Sequence, residues 1–143
     1  MPKIFSAKKG ISPILATLLL VVIAVAAIVV TYAWVMTYMS ATTGQAGVLL
    51  SHDAVSWPNS TTIVLYVRNT GTSDAVIGAV YIGTSATNLV NQTSVTYNPS
   101  NIVTSNGGVI SITITYSWTS GTTYYFKVAP KVGAPLEFNI KPS

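Results

Sequence analysis

Residues 14–36 read ILATLLLVVIAVAAIVVTYAWVM, and only Thr17 and Thr31 among these twenty-three are not apolar. Wound as an α-helix at about 1.5 Å per residue, the stretch is roughly 34 Å long, enough to cross a hydrocarbon layer of about 30 Å. No charge occurs between Lys9 and Asp53, and no polar stripe breaks the segment at a helical period. Such a helix is apolar on every side and must be covered on every side. Sixteen of its side chains are large and apolar. At about 1.5 to 3 kcal/mol each they are worth roughly 25 to 50 kcal/mol as an upper bound, so exposure to water is excluded. The stretch is also too long for the 7 to 15 apolar residues typical of a secretory signal peptide. Its one small-residue triplet, Ala24-Val25-Ala26, lies in mid-segment instead of past the end.

The residues before this stretch are Lys8-Lys9-Gly10-Ile11-Ser12-Pro13. Gly10 offers a flexible, uncharged peptide bond at the basic end, and cutting after it keeps the apolar helix intact. Ser12 suits a helix cap and Pro13 the first helical position, where a missing N–H goes unnoticed. The basic flank sets this end on the cytoplasmic side of a membrane.

Taken together, KKGISPILATLLLVVIAVAAIVV resembles the class III signal sequence and N-terminal helix of archaeal type IV pilins. The resemblance implies recognition of Lys8 and Lys9 by a prepilin peptidase, cleavage between Gly10 and Ile11, and a helix start at Ser12 and Pro13. It further implies a helical homopolymer with Ile14, Leu18, Val21, Val25, Ile28, Tyr32 and Val35 in the filament core. An assembly ATPase and a membrane platform protein would be its partners, and adhesion its usual task. The subunit would wait in the cytoplasmic membrane and end in an extracellular filament. Bacterial relatives usually carry a glutamate fifth in the mature chain, where this chain has Leu15. Archaellins typically have a glycine-rich segment after cleavage; here residues 11–43 contain no Gly, which favours a pilus over a motility filament.

The rest of the 143 residues is punctuated like a β-domain. Residues 40–47, SATTGQAG, are small and should fray the helix, which divides the chain into 1–10, a cleaved leader, 11–45, helix and connection, and 46–143, an outer domain. The expected fold class is α+β, a long apolar helix followed by an immunoglobulin-like sandwich. Seven strands are expected, at 47–55, 62–68, 75–82, 89–96, 109–118, 124–128 and 136–140. The clearest alternation places Ile110, Ile112, Ile114, Tyr116 and Trp118 on one face and hydroxyl residues on the other. Turn residues Asn106-Gly107-Gly108 and Ser120-Gly121 flank it, predicting a hairpin between 109–118 and 124–128. A second, weaker resemblance lies in Asn69-Thr70-Gly71, similar to a strand-Asn-x-Gly-strand unit of archaeal pilin and archaellin outer domains.

Chemistry has little material here. The chain has seven Lys plus Arg, three Asp plus Glu, one His and no Cys, so thiol, disulfide and zinc-thiolate chemistry are excluded. Its net charge of +4 owes three units to Lys3, Lys8 and Lys9, so no nucleic-acid surface is expected. His52 and Asp53 are neighbours and point to opposite faces of any strand, and Asp74 sits by a turn. No catalytic, cofactor or metal site is expected, and the chain reads as a non-enzyme. Of the 104 residues from 40 to 143, 29 are Ser or Thr. Two N-glycosylation sequons occur, at Asn59 and Asn91, while Asn98-Pro99-Ser100 is blocked by its proline. The same residues allow another reading, a monomeric membrane-anchored β-sandwich that binds a ligand at the cell surface.

Overall fold

The computed structural model describes residues 11–143. Helix α1 (Ile11–Ala46) comprises 36 residues. It begins one residue ahead of Ser12, so Ser12 and Pro13 occupy its first turn and Ser12 is not the residue outside it. Proline at that place costs no hydrogen bond, since the first four N–H groups of a helix have no partner inside it. The helix also runs through the passage expected to fray, Gly44 included. One interior glycine costs only about 1 kcal/mol, and no proline stands in the passage to stop the winding. Residues 42–143 form a compact unit of their own.

That unit holds nine strands: β1 (Leu50–Asn59), β2 (Thr62–Asn69), β3 (Ala75–Gly83), β4 (Val90–Asn91), β5 (Val95–Asn98), β6 (Ile102–Val103), β7 (Gly108–Thr115), β8 (Tyr124–Pro130) and β9 (Leu136–Ile140). One sheet has the order β1-β2-β7-β5 and the other β4-β3-β8-β9, with β6 also on β3. The alternation expected for residues 109–118 holds where it matters. Ile110, Ile112 and Ile114 of β7 and Ile63, Leu65 and Val67 of β2 line the inner face of the first sheet, all buried. Ile77, Val80, Ile82, Phe126 and Val128 face them from the second. Ile77 and Val80 both point inward although three residues apart, because the β3–β8 register shifts between Ile77 and Ala79.

Two expectations about strands are corrected. The segments 109–118 and 124–128 do not form a hairpin, because β7 has β2 on one side and β5 on the other, leaving β8 to pair with β3 and β9. The N–H groups of Tyr116 and Trp118 donate to Thr61 and Ser60 at the β1–β2 turn, so the chain leaves the first sheet there and crosses to the second. The expected strand 89–96 is two short strands on different sheets: β4 pairs with β3, and β5 with β7. The polar step Gln92-Thr93-Ser94 carries the chain between them, and β6 adds a further short strand.

Candidate functional site

The outstanding surface of this molecule is helix α1. Its residues 12–40, the whole length of a candidate membrane span, are all exposed. Ile14, Leu18, Val21, Val25, Ile28, Tyr32 and Val35, the stripe expected in a filament core, are all exposed. They recur every three or four residues, so they share one face. The other faces are equally apolar: Leu15, Leu19, Val22 and Val29 are exposed as well.

The threonine hydroxyls of the span are turned inward. Thr17 Oγ1 donates to the Ile14 carbonyl at 2.8 Å, Thr31 Oγ1 to Ala27 at 2.8 Å and Thr37 Oγ1 to Ala33 at 3.0 Å. Each hydroxyl is satisfied by the preceding turn and asks nothing of its surroundings. That is what an environment without water demands. Toward the C-terminal end Trp34 stacks on Tyr38, with centroids 5.9 Å apart and rings 17° from parallel. Aromatic rings of this amphipathic kind suit the boundary between hydrocarbon and water. Between them and the mid-helix lies a shallow groove lined by Ala27, Ile28, Thr31, Tyr32 and Val35. Small Ala27 and Thr31 let a second backbone approach there.

His52, Asp53 and Asp74 of the β-domain are engaged in structural contacts. His52 stacks on Phe138 of β9, centroids 4.6 Å apart, and Phe138 stacks in turn on Phe126. The imidazole thereby closes the seam between the β1 and β9 edges. Asp53 sits at a register shift in β1. Both its oxygens accept from Arg68, at 3.0 and 3.1 Å from Nε and 2.6 Å from Nη2. The guanidinium beside it holds the Asp53 carboxyl below its ordinary range. Asp74 Oδ1 accepts from the Ser105 N–H at 2.8 Å. Among the described residues no three His, Asp or Glu side chains come together.

Of the sequence-derived site residues, Lys8, Lys9 and Gly10 lie outside the described residues, and Ile11 starts the helix. Asn59 and Asn91 are both exposed, at the ends of β1 and β4. Sequence reading did not find the Trp34–Tyr38 stack, the Ala27–Thr31 groove, or a tilted pair of indoles, Trp57 and Trp118, 4.8 Å apart. The first two were visible in principle, as an i, i+4 aromatic pair and an i, i+4 small pair. The third joins residues sixty-one positions apart and left no local signal.

No protein-family profile matches the chain, and no curated protein matches it by sequence. Solved structures share its fold. The archaellum periplasmic stator protein FlaG from Sulfolobus acidocaldarius is 21% identical, with a TM-score of 0.57 over 65% of this chain and 99% of that one. In the complex of FlaF and FlaG from the same organism, the matching chain is 21% identical, with a TM-score of 0.55 over 64% of this chain and 87% of that one. A chain of the archaeal flagellum of Methanospirillum hungatei strain JF1 is 19% identical, with a TM-score of 0.64 over 97% of this chain and 94% of that one. The last match takes in helix and β-domain together, so the expected α+β, pilin-like architecture is borne out.

Proposed function

We propose that the chain is a structural subunit of an archaeal surface filament of the type IV pilus kind, polymerising through α1 with the β-domains outside. The observation that carries this is a helix with apolar side chains exposed on every face and its Thr17, Thr31 and Thr37 hydroxyls satisfied within it, joined to a β-domain with a buried core of its own. The β-domain buries sixteen apolar side chains in that core, whereas the helix needs a non-aqueous partner along its whole length. Lipid serves before assembly. In a filament, copies of the same helix replace the lipid, and repetition of one head-to-tail contact with a non-closing rotation gives a helical polymer.

On this reading a prepilin peptidase cuts after Gly10, an ATPase and a membrane platform protein drive extrusion, and the role is structural, not enzymatic. Adhesion is the task we assign to the filament. A second reading, a motility filament subunit, is favoured by the near full-length likeness to the flagellar chain; the lack of early glycine argues for the pilus.

The test is to isolate the protein from its host and determine its N-terminus and its assembly state together. A chain starting at Ile11, found in fibres by electron microscopy, is expected. Retention of Lys8 and Lys9, with only detergent-soluble monomers, would instead establish the membrane-anchored binding module. Deletion of the gene should then abolish surface attachment with swimming intact; loss of swimming would select the motility reading.

A further inference from the structure

The β1–β2 turn presents one sequon in a geometry suited to a sugar. Asn59 pairs with Thr62, leaving Ser60 and Thr61 as a two-residue turn. Its Oδ1 accepts from both the N–H and the hydroxyl of Thr61, each at 3.0 Å. The carboxamide is thus fixed through its oxygen. Its Nδ2 has no hydrogen-bond partner among the described residues, and Asn59 is exposed, so exchanging one Nδ2 hydrogen for a sugar breaks no contact.

The same residue is tied to an aromatic surface. Trp118 Nε1 donates to the Asn59 carbonyl at 2.7 Å, and the Trp118 N–H donates to Ser60 at 3.0 Å. Trp57, two residues before the sequon, tilts 58° against Trp118 and reaches Tyr124 and Phe126 beyond it. Both indoles are only half-buried, anchored inward on the core with area left to water. The C–H face of a pyranose suits the electron-rich face of such a ring. Asn91 differs: it is extended opposite Tyr81, and no hydrogen bond among the described residues links its carboxamide to Thr93.

We propose that Asn59 carries an N-linked glycan whose first sugar lies against the Trp57–Trp118 pair, bracing this end of the sandwich. In the transfer, Asn59 Nδ2 bonds to the anomeric carbon of a lipid-linked sugar phosphate. The anomeric C–O bond breaks with its electrons kept by the departing lipid phosphate, and one amide proton passes to the transferase's base. The inference requires the β-domain to lie outside the membrane, whether or not the chains polymerise.

The experiment starts from protein isolated from its native host, with the Asn59 peptide weighed after digestion. Thermal unfolding of this material is compared with that of the bare chain from a host lacking N-glycosylation, for the wild type, Trp118→Leu and Trp118→Phe. A glycan mass on Asn59 is expected, together with a midpoint several degrees lower in the bare wild type. That difference should vanish in Trp118→Leu and survive in Trp118→Phe, whose ring keeps a face for the sugar. An Asn59 peptide at polypeptide mass overturns the site, and an equal glycan effect in wild type and Trp118→Leu overturns the platform. If Trp118→Leu does not fold, acrylamide quenching of Trp34→Phe decides: weaker quenching with the glycan is expected, and equal quenching overturns the platform.

Discussion

The side-chain oxygen of Asn69 accepts a hydrogen bond from the Gly71 N–H at 3.0 Å, at a site with no solvent exposure. It also accepts from Leu49 N–H at 3.4 Å. The amide nitrogen of the same side chain donates to the carbonyls of Ser73 at 2.8 Å and Val103 at 3.1 Å. One carboxamide therefore joins the start of the β-domain, the β2–β3 turn and β6. Gly71 fits because its backbone passes against Gly47 and Leu49; a Cβ there would meet the Leu49 nitrogen at 2.7 Å and the Gly47 carbonyl closer still. This contact set gives the Asn-x-Gly pattern a physical meaning, an acceptor turn that only a residue without Cβ can close.

Replacing Asn69 by Leu should therefore be among the most damaging single changes in the β-domain. The volume is kept, yet the buried Val103 carbonyl, the part-buried Ser73 carbonyl and the buried Gly71 N–H lose their partner, at about 1 to 3 kcal/mol for each buried group left unsatisfied. We expect a loss of at least about 3 kcal/mol, read as a lower urea midpoint for the full chain in detergent. Gly71→Ala should be destabilised as well, through the clash and not through lost bonds. A midpoint within error of wild type for Asn69→Leu would refute the role given to this residue.

In α1, Val25→Asp and Thr31→Val should behave oppositely. A carboxylate at mid-helix costs about 2.5 to 3.5 kcal/mol in a bilayer, and every copy would bring it into the polymer core. Fibres should disappear from electron micrographs. The Thr31 hydroxyl is already spent on Ala27, so valine at that site removes nothing a neighbour uses, and fibre yield should be unchanged.

How much of this was readable beforehand follows the range of the interactions. The helix announces itself through twenty-three consecutive positions, and the inner faces of β2 and β7 through strict alternation, because both signals are local. The pairing of β7 was not readable. Tight turns on both sides of it suggest a hairpin, but the choice of partner rests on contacts between β7 and β2 across some fifty residues, such as Ile112 opposite Leu65. The short strands β4 and β6 have two residues each and no periodicity to detect. Asn59 was visible as a triplet, whereas its indole neighbour Trp118 reaches it only through the crossing from one sheet to the other.

Tyr97 of β5 packs against the core, and burial pushes its phenol above the ordinary value of 10.0. A pKa raised in the folded state means stability that is complete below the unfolded value and declines as pH rises through the folded one. Wild type should lose thermal stability above about pH 10 more steeply than Tyr97→Phe, which lacks the ionising group. Parallel curves for the two proteins in alkaline buffers would exclude this contribution.

Asp53 supplies the opposite case. Its hydrogen bonds from Arg68, and then the charge of that residue, hold the carboxyl below its ordinary 3.8. A depressed folded-state value means that the contribution is fully present above the unfolded pKa and is lost as pH falls through the folded one. Asp53→Asn lacks the contribution at every pH, so it should unfold slightly below wild type near neutrality, and the gap should close as the pH drops well below about 4. Because the pair is partly exposed, with side chains 41% and 35% accessible, the gap is small, and added salt should shrink it at neutral pH. The other Asp and Glu side chains, only two in number, are the same in both proteins, so the gap isolates Asp53. A gap that stays constant down to about pH 2 would mean that packing around residue 53, and not its charge, is what Asp53 contributes.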